Sequence, residues 1–159
     1  MWGTILPAII GFVGVLIGVA VTTASNYLLA VRKERAEAAE RKLTRAKELK
    51  KACRLIFEEF TVGAAAARWL AEQKRRVSED TKLSLDAWQS YKRVLAPEVS
   101  LMDWNRLTMA VQAIHDLRGF ISRSPRTSDA ATDAEAENGR LVLRNITYGL
   151  EALGPYLVD

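Results

Sequence analysis

The first 31 residues of the chain contain no Asp, Glu, Lys, Arg or His, so every charged side chain lies in residues 32–159. Residues 5–31 form an apolar run that, as a helix rising about 1.5 Å per residue, extends for about 40 Å. The hydrocarbon core of a bilayer is about 30 Å thick. A helix that is apolar on every side is typical of a membrane span rather than of a soluble core. The run therefore predicts a transmembrane anchor at residues 1–31. The absence of a basic segment before it argues against a cleaved signal peptide.

Charge next to this run predicts its orientation. Residues 32–51 contain nine Lys and Arg against four Glu, whereas residues 52–159 contain 14 basic and 15 acidic side chains. Lys and Arg beside a membrane helix are retained on the cytoplasmic face. We therefore expect a single-pass protein of the plasma (inner) membrane, with its N-terminus outside and its C-terminal body in the cytoplasm.

The basic segment itself, residues 32–45, predicts a helical stalk next to the membrane. Clustered Lys and Arg at that place favour contact with anionic lipid headgroups. Glu residues are interspersed and aromatic residues are missing, which argues against a nucleic-acid groove. The side chains predicted to contact headgroups are Arg32, Lys33, Arg35, Arg41 and Lys42.

Small residues recur along one face of the predicted anchor, at steps of three and four. They let two helix backbones approach closely, and the pattern includes one small-xxx-small pair at Gly14 and Gly18. The stripe predicts self-association into a homo-oligomer. Its members are Gly11, Gly14, Gly18, Thr22 and Ser25.

The rest of the chain, residues 46–159, predicts an all-α body. Apolar residues repeat at alternating steps of three and four from Ala46 to Leu70, as in a helix that packs on other helices. We expect the anchor helix to continue without a linker to about Arg76. Three further helices are predicted at 81–95, from a capping box at Ser100 to about 123, and from 133, capped by Asp133, to 157. The predicted fold is a transmembrane helix that continues into an antiparallel cytoplasmic bundle of about four helices.

Few residues suggest chemistry. His115 and Asp116 are neighbours, but positions i and i+1 on a helix point in different directions. Cys53 lies on the core seam, where a cysteine packs as a small hydrophobe. Glu58 and Glu59 lack the Glu-x-x-His spacing of di-metal bundles, and we expect Glu59 to be half-buried beside an Arg. We therefore predict no catalytic residue, no metal site and no cofactor.

The pattern as a whole indicates a non-enzymatic protein. The leading hypothesis is a membrane-anchored interaction or scaffold protein that self-associates and binds a protein partner at the inner membrane face. One alternative is a membrane-perturbing or pore-forming effector that assembles through its anchor; a third, an enzyme built on the bundle, is favoured least. Of the three tryptophans of the body, Trp69, Trp88 and Trp104, any exposed one would mark a partner surface.

Overall fold

A computed structural model of the chain describes residues 5–78, 81–123 and 130–157; the side chains of residues 5–17, 20 and 123 lie outside that description. The described part is all-helical, with four helices and no strand. The helices are α1 (Ile5–Glu72), α2 (Asp86–Leu95), α3 (Leu101–Arg123) and α4 (Asp133–Leu157). Backbone contacts separate the chain into two compact units, Met1–Arg45 and Ala46–Asp159.

The first unit contains the beginning of α1. The described side chains from Gly18 to Arg45 are exposed, with the half-buried Val31 as the exception. Among the residues whose side chains are described, no helix carries an apolar run long enough to cross a membrane. The side chains of residues 5–17, which make up the first half of the predicted anchor, lie outside that set.

The second unit is a bundle built from the rest of α1 with α2, α3 and α4. Three glycines show in which direction the helices run relative to one another, because a Cβ on each glycine would nearly touch a neighbouring helix. A Cβ on Gly149 of α4 would lie 2.9 Å from Phe60 of α1 and 2.5 Å from Ala110 of α3. A Cβ on Gly139 would lie 3.0 Å from the backbone of Ala71. Going along the bundle in one direction, the residue numbers therefore rise on α1 and fall on α4, so these two helices are antiparallel.

The third glycine places α3. A Cβ on Gly63 would lie 2.9 Å from Ile114 of α3 and 3.4 Å from Ile146 of α4. From Phe60 to Gly63 on α1, the neighbour on α3 advances from Ala110 to Ile114, so α1 and α3 run in the same direction. The helix α4 is therefore antiparallel to both α1 and α3, the arrangement of neighbouring helices in an antiparallel bundle.

The sequence pattern correctly predicts the core. Of the seam on α1, the residues from Cys53 to Leu70 are buried, Leu49 is half-buried and Ala46 is exposed. Each of the four described helices contributes fully buried large side chains to the core. They are Ile56, Phe60, Leu70, Leu95, Leu107, Ile114, Leu117, Ile146 and Leu153. Burying each such side chain contributes about 1.5–3 kcal/mol, which makes this core the main source of the unit's stability.

The start of α2 differs from the prediction. The helix begins at Asp86 rather than at residue 81, and the preceding residues are not helical. Leu83 and Leu85 are buried, whereas Lys82 is exposed and Ser84 is half-buried. The segment is irregular, because the Leu83 N–H donates to the Thr81 carbonyl at 3.0 Å in a tight turn.

The start of α4 also differs, because Thr132 rather than Asp133 is the cap. Thr132 Oγ1 accepts the Glu135 N–H at 3.2 Å, and the Glu135 carboxylate accepts the Thr132 N–H at 2.6 Å. These two reciprocal bonds are a capping box. Asp133 is the first helical residue instead, and its carboxylate accepts a hydrogen bond from Lys74 Nζ at 2.6 Å.

An ion pair and a backbone bridge join the end of α1 to the segment that begins α4. Arg76 forms an ion pair with Glu135 at 3.0 Å, and their side chains are only 20% and 14% exposed. Arg75 and Ala130 form an isolated antiparallel bridge. Lys74 has a φ of 49°, the left-handed conformation that turns the chain sharply after the last turn of α1. The hydrogen bond to the Thr132 N–H, with Arg76 beside it, lowers the pKa of Glu135.

Candidate functional site

The most unusual surface of the described residues is the apolar part of α1 in the first unit. Tyr27, Leu28 and Leu29 are 70%, 58% and 61% exposed, and Val19 and Val21 are 60% exposed each. Three consecutive residues on a helix point in three directions about 100° apart. Such an exposed apolar surface is of the kind that lipid or another molecule removes from water.

The predicted self-association stripe is placed only in part. Gly11 and Gly14 lie outside the residues whose side chains are described, whereas Gly18, Thr22 and Ser25 are exposed. A Cβ on Gly18 would meet nothing within 4 Å, so this face of the helix is open in a single chain. The Thr22 hydroxyl donates to the Gly18 carbonyl of the same helix at 2.8 Å. That bond satisfies the hydroxyl internally, which lowers the cost of placing Thr22 in an apolar surrounding.

The five predicted headgroup-contacting residues, Arg32, Lys33, Arg35, Arg41 and Lys42, are all exposed. Two of them share one carboxylate, since Lys33 and Arg41 lie 4.0 and 3.6 Å from Glu37. Exposed pairs of this i,i+4 type contribute about 0.3–0.5 kcal/mol each, so they hold the cations only weakly. A phosphate of a lipid headgroup could replace Glu37 at little cost.

Apart from Leu101 at the start of α3, the exposed large apolar residues described in the second unit form pairs seven residues apart. They are Val62 and Trp69 on α1, Met102 and Met109 on α3, and Leu141 and Tyr148 on α4. A spacing of seven places both members of a pair on one face of a helix.

Two of these pairs adjoin each other. Ala110 and Gly149 are in contact across α3 and α4, so the residues that precede them, Met109 and Tyr148, lie at the same level of the two antiparallel helices. The α3–α4 surface, defined as Met102, Met109, Leu141 and Tyr148, is therefore the broadest candidate for contact with a protein.

The three tryptophans of the body differ in how much of their side chains is exposed. Trp88 is buried and its ring centroid lies 5.2 Å from that of the half-buried Trp104. Ring pairs at this distance stabilise a core beyond the area that they bury. Trp69 is 48% exposed and belongs to the α1 pair with Val62. Trp69 is thus the tryptophan that is available to a partner.

The cysteine and histidine occupy different environments. Cys53 is fully buried, and burial raises the pKa of its thiol to about 11. A thiol in that state reacts slowly, because the thiolate is the nucleophile. His115 is exposed on α3, and the neighbouring Asp116 carboxylate accepts a hydrogen bond from Gln112 at 2.8 Å.

Glu59 has a structural role that the sequence did not reveal. Its Oε1 accepts hydrogen bonds from the Ser84 hydroxyl at 2.9 Å and from the Ala87 N–H at 2.8 Å, and its Oε2 accepts the Trp88 N–H at 3.2 Å. The carboxylate of α1 thus caps the N-terminus of α2 from another helix. The expected Arg partner is wrong for Glu59; the adjacent Glu58 is the one that pairs with an arginine, Arg54, at 3.4 Å.

Comparison with protein-family models, with curated proteins and with solved structures finds no match for this chain. Its function must therefore be argued from the surfaces described above.

Proposed function

We propose that this protein is a single-pass membrane protein that self-associates through its anchor and presents a helical bundle to a protein partner at the inner membrane face. The uncharged first 31 residues carry this proposal, together with the uncovered apolar side chains of α1. A bilayer covers a helix on every side at once. The exposure of Tyr27, Leu28 and Leu29 in three directions supports this proposal.

Membrane insertion is tested by alkaline carbonate extraction of membranes that contain the full-length protein. We expect the wild type to remain with the membranes. The double variant Leu16→Lys/Val21→Lys places two charges in the apolar run at about 2.5–3.5 kcal/mol each, so it should be extracted. Leu43→Lys adds a charge outside the run and is the control. Extraction of the wild type, or retention of the double variant, would contradict the proposal.

Orientation is tested by labelling intact cells with a membrane-impermeant maleimide. Thr4→Cys should be labelled from outside, whereas Thr44→Cys should be labelled only after the membrane is permeabilised. The native thiol at Cys53 is buried and contributes little background. The reverse pattern would overturn the proposed topology.

Self-association is tested in mild detergent by chemical cross-linking and light scattering. Gly14→Ile/Gly18→Ile blocks close approach along the small-residue stripe and should shift the protein to monomer. Val13→Ile/Leu16→Ile enlarges or reshapes neighbouring residues outside the stripe and should not. A wild type that is monomeric at every concentration would refute the homo-oligomer.

The proposed partner surface is the α3–α4 surface. A photo-cross-linking amino acid at Met109 or Tyr148 should give the same protein adduct, whereas the same probe at the exposed Arg93 of α2 should not. Identical adducts at all three positions would indicate collision rather than a defined interface.

A further inference from the structure

A cavity of about 550 Å³ lies in the second unit, between the irregular segment before α2 and the end of α3. Pockets of about 300–1,000 Å³ are the usual size of small-molecule sites. Leu83, which is 5% exposed, and the half-buried Ile121 supply its apolar surface. The cavity is therefore large enough for a small organic molecule and has an apolar part for it to contact.

The charged residues around the cavity favour a negative ligand. Lys82 and Arg118 both line it, and within the described residues neither side chain forms a hydrogen bond or an ion pair. One carboxylate, Asp86, also lines it. Asp86 lies in the first turn of α2, where the helix dipole already favours a negative side chain. Among the described residues that line the cavity, two cations against one carboxylate leave a net positive charge.

The other polar groups of the cavity are mostly occupied. The Ser84 hydroxyl donates to Glu59 and accepts the Asp86 N–H, and the Ser122 hydroxyl donates to the Gly119 carbonyl at 3.1 Å. The helix end of α2 is also closed to a ligand, because Glu59 accepts its free N–H groups. An anion in this cavity would thus be held by Lys82 and Arg118, and Thr81 also lines the cavity.

We propose that this cavity binds a small organic anion, with its negative group between Lys82 and Arg118 and its apolar part against Leu83 and Ile121. A guanidinium and an ammonium both form charge-assisted hydrogen bonds to phosphate and carboxylate oxygens. The apolar side chains would distinguish an organic anion from an inorganic one. This site is independent of the proposed anchor, since every residue in it belongs to the second unit.

The test is an NMR titration of the full-length, ¹⁵N-labelled protein in a zwitterionic detergent with three probes. Phenyl phosphate carries both the charge and the apolar group, inorganic phosphate carries only the charge, and benzyl alcohol carries only the apolar group. We expect phenyl phosphate to cause saturable shifts at residues 81–86 and 118–122, with the other two probes at least about tenfold weaker, which corresponds to about 1.4 kcal/mol.

The variant Lys82→Gln/Arg118→Gln removes both cations and should weaken phenyl phosphate binding at least about tenfold. Arg93→Gln/Arg144→Gln removes the same charge from exposed positions that do not line the cavity and should leave binding unchanged. Unaltered ¹⁵N spectra elsewhere would show that both variants are folded. The proposal is overturned if phenyl phosphate gives no saturable shift at these residues up to about 10 mM, if inorganic phosphate binds equally well, or if both double variants bind alike.

Discussion

Removing the carboxylate of Glu59 should destabilise the bundle far more than removing that of its neighbour Glu58. Both are glutamates on α1, and they differ only in what they contact. Glu59 accepts three hydrogen bonds from the segment that begins α2, whereas Glu58 forms one exposed pair with Arg54. The substitutions Glu59→Ala and Glu58→Ala are therefore a matched pair.

The expected magnitude follows from those contacts. A hydrogen bond contributes about 1 kcal/mol net, and the loss of a helix cap costs about 0.5–2 kcal/mol. Three bonds to one half-buried carboxylate, less what water recovers at the freed N–H groups, give a loss of about 2–3 kcal/mol for Glu59→Ala. The exposed pair of Glu58 should account for no more than about 0.5 kcal/mol. Glu59→Gln keeps one acceptor oxygen and should fall between the two.

The assay is urea unfolding of the full-length protein in mild detergent, followed by tryptophan fluorescence. Trp88 and Trp104 report directly, because their rings are in contact and Trp88 lies in the capped turn. Hydrogen exchange provides a local readout, since the Ala87 and Trp88 amides should lose protection in Glu59→Ala and keep it in Glu58→Ala. If Glu59→Ala costs no more than Glu58→Ala, the capping interaction does not stabilise α2 and the reasoning is refuted.

Three further outcomes follow from the second unit. Gly149→Ala should lower the unfolding free energy by about 1–3 kcal/mol, because its Cβ would lie 2.5 Å from that of Ala110; Gly154→Ala, with nothing within 4 Å, should be neutral or stabilising by up to about 1 kcal/mol in the same urea assay. Glu135→Gln should destabilise the protein at pH 7. Because the folded-state pKa of Glu135 is lowered, that contribution is present above the ordinary pKa of about 4.3 and is lost as the pH falls through the folded-state value, so the stabilities of wild type and variant should converge as the pH is lowered through that value. Cys53, with its pKa raised to about 11, should react with a thiol reagent at pH 8 only as fast as the bundle opens, and immediate reaction in the folded protein would contradict its burial.

The helices were predictable because their signals are local. The alternating steps of three and four on α1 and α4 mark the buried face, and they need no knowledge of which helix lies opposite. The N-cap predicted at Ser100 was likewise correct, since Ser100 Oγ accepts the Asp103 N–H at 3.1 Å. The second half of the predicted capping box differs, because the Asp103 carboxylate accepts the Ser100 hydroxyl at 2.7 Å in place of the Ser100 N–H. Each of these patterns is contained within a few residues of sequence.

The errors occur where a distant residue decides the structure. Glu59 caps a helix that begins 27 positions later in the chain, and no spacing rule connects the two. Residues 81–85 continue the apolar spacing of the predicted helix, yet they are irregular, and Leu83 and Leu85 both reach the core. The prediction named Asp133 as the cap of α4 instead of Thr132, although the sequence contains the capping motif Thr-x-x-Glu. Both residue types are good caps, but the Asp133 carboxylate accepts a hydrogen bond from Lys74 at the end of α1. The cavity near Lys82 and Arg118 joins two segments that only the fold brings together.

The exposed apolar side chains of the two units are arranged differently, so different surroundings would bury them. In the first unit, Tyr27, Leu28 and Leu29 are consecutive and face three directions, so one neighbouring helix could bury only part of them. In the second unit, the exposed large apolar residues described lie, except for Leu101, seven apart on one helix, as Met102 and Met109 do, and one flat partner could cover such a pair. A lipid environment fits the first pattern and a protein surface fits the second. The charges agree with this division, because the excess of Lys and Arg is confined to residues 32–51 and the remaining residues to 159 are nearly neutral.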